Sequence, residues 1–450
     1  MPRGLPTSPA LDRTASLALC AALLAVSASC GRPSAEVEAP APDSSDAPFS
    51  GLVAPPPHAT RADAPWDRLA GWAAESYAAL GFPDAPPSVR VDVLDEVDPR
   101  EMFDRAAREF ALEVKGSGAQ AQTDTHWILR RAFNALAAES PDEQISREAE
   151  RIVHATPLWY DRRLCAVRVI GAHPLFSREA DAADAPARAA WEPWHLMAHE
   201  VAHALQDRRA PFRDRLDEPE TYEANVVRKC LLEGEADLRM LALAAAVDGR
   251  GLFSAESSDE DERAWCFDEL ARLFDRETPS YYEAGFRYLL GELERGGWKA
   301  VEAAVGTPRI TSRDLLAGVQ APREPISLVL PAWPGELASS AEHEWRDEVG
   351  AWGILALLVE AGNVDGDAAQ DVELVTAWRA DELCVVRRVD GITVLMWRVL
   401  VADEVSARAL AERFAASDGT ASFAGTTVDF AWSPVKQLEL ATLERLEAAR

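Results

Sequence analysis

Residues 195–207 read His-Leu-Met-Ala-His-Glu-Val-Ala-His-Ala-Leu-Gln-Asp, and the five from His199 to His203 constrain the fold most. The segment has no Gly or Pro and is rich in Ala and Leu, so it predicts a helix, part of a longer one over 188–208. A helix turns about 100° per residue, which sets His199 and His203 one turn apart on a single face, with Glu200 beside the first. Leu196, Val201, Ala202 and Leu205 make the surrounding positions apolar. A polar trio in such a helix needs a chemical reason, because unsatisfied polar groups are costly to bury. Two imidazoles at this spacing can converge on one Zn²⁺ at about 2.0–2.1 Å. Glu200 then stands beside the open coordination position, where it can take a proton from water and return it to a leaving group. With 8 His in the chain, this pentapeptide arises by chance in on the order of one percent of chains of such composition.

A tetrahedral catalytic site needs a third protein ligand. A continuation along the same helix with Gly and then His or Asp is ruled out, because Gln206 and Arg209 occupy those places. A second helix, predicted over about 221–247, carries Leu231-Leu-Glu-Gly-Glu-Ala-Asp-Leu238. HExxH followed by a glutamate-bearing helix resembles the gluzincin metallopeptidases. Glu233-Gly234-Glu235-Ala236 is similar to the Asn-Glu-Gly-x-Ala segment of their aminopeptidase N branch, with Leu232 in place of Asn. The resemblance implies Glu233 as third metal ligand, while Asp237 matches the carboxylate that orients a zinc histidine in thermolysin-like enzymes. Tyr282-Glu283-Ala284-Gly285-Phe286 is similar to a further segment of that branch, which implies that the Tyr282 hydroxyl stabilises the oxyanion. The likeness covers roughly residues 160–305. No Gly-x-Met-Glu-Asn segment precedes the motif, so the grip on a free α-amino group is missing, and the resemblance implies an endopeptidase or a peptidase of narrow specificity. The fold expected is α+β and mainly helical, with a gluzincin-like core, a small edge sheet and an α+β C-terminal domain.

Other polar residues carry blander expectations. His195 lines the cleft or a packing face, Asp207 ends the helix in a salt bridge, and Trp191 and Trp194 border the cleft. His154, His173 and His343 lack ligand spacing, the last in an acidic helix start between Glu342 and Glu344.

The N-terminus reads as an export signal. Arg3 and Arg13 precede an apolar run over 16–29, too short to span a bilayer, and Ala28-Ser29-Cys30-Gly31 follows. This resembles a bacterial lipoprotein signal, which implies lipidation at Cys30, with Ser27 standing where Leu is usual. The expected organisation is a signal peptide over 1–29, a Pro/Ala/Ser tether over 30–65, a metallopeptidase-like domain over 66–322 and an α+β domain over 323–450. In the last, ELVTAWRA, LCVVRRV and ITVLMWRVLV read as strands, with Asp390-Gly391 as a hairpin turn. The expected location is the cell envelope, on the periplasmic or outer-membrane face, with membrane contact only through the lipid anchor; the alternative is ordinary cleavage and secretion.

The net charge of −29 repels phosphates, so nucleic acid is excluded as a partner and a peptide or protein substrate is expected. Scattered cysteines exclude a Cys-based metal site. Two further readings fit the same residues: an inactive exported binding module on a peptidase-like fold, and a non-proteolytic zinc hydrolase.

Overall fold

The apolar positions around His199 and His203 decide where their helix lies. In the computed structural model, α2 (Pro193–Asp207) buries Met197, Ala198, Val201, Ala202, Ala204 and Leu205. Each fully buried Leu or Val side chain contributes roughly 1.5–3 kcal/mol, enough to hold the helix although it carries five ionisable groups, His195, His199, Glu200, His203 and Asp207. The structure describes residues 65–82, 88–95 without 96 beyond it, 157–171 except 163, 193–208, 221–248, 280–306, 310–317, 340–360 and 368–449, with isolated positions between. The expected signal peptide and Cys30 lie outside the described residues, as does nearly all of the expected tether. The sequence also reads as helical over 99–113, 124–138, 145–154 and 260–275, and most of those positions lie outside the described residues too. Among the described residues, no helix is long and apolar enough to cross a membrane.

Around α2 stand α1 (Trp66–Ala79), α3 (Tyr222–Val247) and a small sheet of β1 (Arg90–Leu94), β2 (Leu158–Asp161) and β3 (Ala166–Ile170). Among the described residues β3 is central, parallel to β1 and antiparallel to β2, which leaves β2 at an edge against α2. From α1, the buried Tyr77 hydroxyl donates to Ala198 O at 2.9 Å, one residue before His199.

α4 (Ser280–Val305) crosses α3 with no side chain between the backbones. A Cβ on Gly234 would lie 2.4 Å from Gly285 C, and one on Gly285 would lie 1.8 Å from Cys230 O. Only glycine permits that approach. The helix breaks at Gly296-Gly297, with Gly297 at φ +65°. Beyond it, Trp298 meets Phe82 edge-on at 4.7 Å.

α5 (Ser312–Ala317), β4 (Ala341–Asp347), α6 (Gly350–Glu360) and α7 (Ala368–Thr376) follow. Then come β5 (Trp378–Arg388), β6 (Thr393–Val401), α8 (Glu404–Ala415), β7 (Thr420–Ala424), β8 (Thr427–Trp432) and α9 (Lys436–Ala448). The second sheet is antiparallel in the order β4-β5-β6-β8-β7. Its β5–β6 turn has Gly391 at φ +81°, the left-handed position that the Asp-Gly pair announces. Two expectations are corrected. ELVTAWRA is not one strand: α7 takes its first half, because Val372 and Val375 are three apart and both buried, while Asp371 pairs with Arg413 at 3.3 Å. His343 lies on β4, not on a helix, and Glu342, Glu344 and Arg346 of that strand are exposed while Asp347 is buried.

The two halves join at the start of α3. Thr221 caps it by accepting from Ala224 N at 3.1 Å. Asp347 Oδ1 accepts from Tyr222 N at 2.7 Å, and Glu348 O from Glu223 N at 2.8 Å, so amides left free by the first turn are satisfied. Glu223 in turn accepts from Ser312 N at 2.7 Å. Asp381 accepts from Val349 N, Gly350 N and the indoles of Trp378 and Trp397, all at 2.8–2.9 Å.

Burial pushes the carboxyl of Glu223 up to about 8 and that of Asp347 up to about 7. The folded chain therefore holds protons that the unfolded chain has released above about pH 4–4.5. Stability from these groups is full below that range and is lost as pH rises through 7–8. Denaturant midpoints should be higher at pH 5.5 than at pH 8.5, with Glu223 alone accounting for on the order of 3 kcal/mol. Glu223→Gln should flatten that slope; an unchanged slope would disprove the linkage.

Candidate metal centre

Glu233 lies on α3 opposite the two histidines of α2. His199 Nε2 and His203 Nε2 are 3.1 Å apart. Glu233 Oε2 lies 3.2 Å from the first and 3.3 Å from the second. Ligands held about 2.0–2.1 Å from a tetrahedral ion are about 3.3–3.4 Å apart, so this near-equilateral triangle matches one face of such a site. His199, Glu200 and His203 form a group able to hold a metal ion.

The backing of the triangle explains its geometry. His203 Nδ1 is 2.8 Å from Gln206 Oε1, an acceptor, so the ring carries its proton there and presents a lone pair at Nε2. His199 Nδ1 meets Asp237 Oδ1 at 2.9 Å, a close ion-pair contact. Two ring lone pairs and a carboxylate oxygen facing one another require a cation, whether a proton or a metal ion.

Charge follows the same logic. Burial disfavours the imidazolium of His199, but the carboxylates of Asp237 and Glu233 outweigh it and hold its pKa well above the usual value. His203 is raised too, against burial, chiefly by Glu233. Burial works to raise Glu233, yet His203 and His199 hold it far below the ordinary carboxylate range. Asp237, fully buried, is pushed up by desolvation despite His199.

Glu200 does not join the triangle's contacts. Its Oε2 accepts from Tyr160 N of β2 at 2.6 Å. Burial raises its carboxyl and the two histidines pull it only part of the way back. The side chain of Tyr160 reaches past it, its hydroxyl donating to Asp207 at 3.1 Å. Asp207 thus closes α2 against the edge strand, with Arg162 more distant at 3.9 Å. His195 is buried and stacks on Trp194 at 3.6 Å.

The fold therefore brings His199, Glu200, His203, Glu233 and Asp237 together. Tyr282 stands on α4 one turn before Gly285, and its side chain falls outside the described positions. Two participants escaped the sequence reading. The Tyr160 amide belongs to a four-residue strand without alternation. Gln206 was weighed only as a failed glycine position, although its spacing of three from His203 places it on the same helix face.

No family model matches the chain, and no curated protein or solved structure does either, so its chemistry is read from the geometry of these side chains.

Proposed function

We propose that the chain is a zinc-dependent peptide hydrolase of gluzincin type, acting as an endopeptidase. The observation that carries this reading is the convergence of His199 Nε2, His203 Nε2 and Glu233 Oε2 to 3.1–3.3 Å of one another, with Glu200 alongside. His199, His203 and Glu233 would hold the ion, and Asp237 would orient His199. When bound, zinc supplies Lewis acidity, acidifying water and polarising a carbonyl. Glu200 takes the proton from the attacking water and passes it to the departing amine. Its raised carboxyl brings proton affinity closer to neutrality, which suits both transfers. Tyr282 is assigned to the oxyanion on the strength of its motif.

Peptide as substrate is favoured by β2. It is a sheet edge, and its Tyr160 N–H turns away from β3 toward Glu200. An extended peptide laid along that edge would bring its backbone within reach of the base. The N-terminal signal adds export and a lipid anchor at Cys30 to this proposal.

The test is zinc content and cleavage measured on the same purified protein. About one zinc per chain is expected, with hydrolysis inside peptides of a mixed library. A chelator should abolish the hydrolysis and added zinc restore it. Zinc without cleavage of any peptide would favour the inactive binding module or another zinc hydrolase. Failure to take up zinc would remove the ligand assignment altogether.

A further inference from the structure

One buried polar chain adjoins the metal centre. It begins at Gln206, 1% exposed, and continues through Glu235 and Arg239, 0% and 1% exposed. Gln206 Oε1 faces His203 Nδ1 at 2.8 Å. Its Nε2 donates to Leu232 O at 2.7 Å and to Glu235 Oε2 at 3.3 Å. Glu235 Oε1 accepts from Arg239 Nε at 3.0 Å and Nη2 at 2.8 Å. The guanidinium lies 4.2 Å from the Phe82 ring centre and 5.5 Å from that of Trp298.

An amide has nearly the same shape either way round, so its partners decide which end is oxygen. Both partners on the Nε2 side of Gln206 are acceptors, a main-chain carbonyl and a carboxylate. The opposite end must therefore be the oxygen, and it meets His203. The two bonds from the Arg239 guanidinium keep the Glu235 carboxylate in place. Each link fixes the next, from a guanidinium to the proton position on an imidazole.

We propose that Gln206 is the positioning residue for His203, holding the ring as the Nδ1-protonated tautomer so that its Nε2 lone pair faces the triangle. The Glu235–Arg239 pair holds the amide of Gln206 in the orientation this requires. The proposal rests on the metal-centre reading and adds a device to it. The two histidines are backed differently: His199 has a carboxylate, His203 a neutral amide. With Zn²⁺ bound, the charges of Glu233 and Asp237 would already balance the ion before the base Glu200 is counted, and a second backing carboxylate would add further negative charge and weaken the ion as a Lewis acid.

The test compares the full chain with Gln206→Leu and Gln206→Glu. Nitrogen-15 NMR of the histidines, recorded at a pH above their titration so that the rings are neutral, reads the tautomer in zinc-free protein, and chelator competition reads the zinc dissociation constant. Gln206→Leu is expected to lose the tautomer preference at His203 and to bind zinc about 10–100-fold more weakly. Gln206→Glu keeps an acceptor for Nδ1 and is expected to keep the tautomer. A leucine variant with the wild-type tautomer and affinity overturns the proposal. Should leucine prevent folding, loss of the Nδ1-protonated ring in folded Gln206→Glu overturns it equally. Absence of zinc binding in the wild type, with its tautomer intact, would instead strike the metal-centre reading.

Discussion

Replacing Glu200 by glutamine is expected to leave zinc binding intact and to slow peptide hydrolysis by about 10²–10⁴-fold. The expectation follows from where the carboxylate stands. It neighbours His199 in sequence, yet its close polar contact is the Tyr160 amide at 2.6 Å. Glutamine has nearly the same shape and can still accept that bond through its oxygen, but it cannot take up a proton from water. The contacts among His199, His203 and Glu233 do not involve the replaced group. The comparison needs kcat/KM on one cleaved peptide and the zinc stoichiometry of both proteins. Undiminished turnover would remove the base assignment. Loss of zinc together with turnover would make Glu200 a ligand instead.

The second large effect is expected at a residue with no functional group. Gly285→Ala places a methyl 1.8 Å from Cys230 O and 2.5 Å from Cys230 C, both backbone atoms with no rotamer to adopt. α4 must then move off α3. Overpacking costs about 1–3 kcal/mol where side chains can yield, and a backbone clash belongs at or above the top of that range. Because Gly234 lies in the same crossing and follows Glu233 directly, displacement should also spread the triangle. Zinc affinity is therefore expected to fall together with the melting temperature. Gly71→Ala serves as the control, since nothing lies within 4 Å of its added Cβ. On a helix that change should be neutral or stabilise by about 0.4–1 kcal/mol. Equal melting temperatures for Gly285→Ala and wild type would refute the close crossing.

The helices that carry the site were legible because their physics is periodic. Apolar residues recur at helical spacing through 193–207, and Thr221 announces the start of α3 with a capping side chain. The Asp390-Gly391 turn was legible because a positive φ leaves few alternatives to glycine. β2 was not, since Leu158, Trp159 and Tyr160 are all buried and four residues are too few to show alternation. α6 was missed for the opposite reason: Gly350–Glu360 is apolar on nearly every side, so no stripe marks it. In α7, the spacing of Val372 and Val375 prevailed over the strand preference of a β-branched run. At the site, the motif names side chains that hold or move charge. It is silent about a main-chain amide such as that of Tyr160, and about a neutral amide whose role depends on Glu235 and Arg239.

The bonds at the head of α3 reach beyond local capping. Tyr222 and Glu223 lean on Asp347 and Glu348, while Glu233 stands roughly 15 Å further along the same rod. The apolar core also continues across residue 322, joining Val201 and Leu241 to Leu355, Trp378 and Trp397 in one cluster. A fragment cut at 322 would carry a bare amide end and an uncovered greasy flank, and would be prone to aggregate. In engineering terms, residues 323–450 are a bracket bolted to the beam that bears the third ligand, and neither part can be unscrewed without the other sagging.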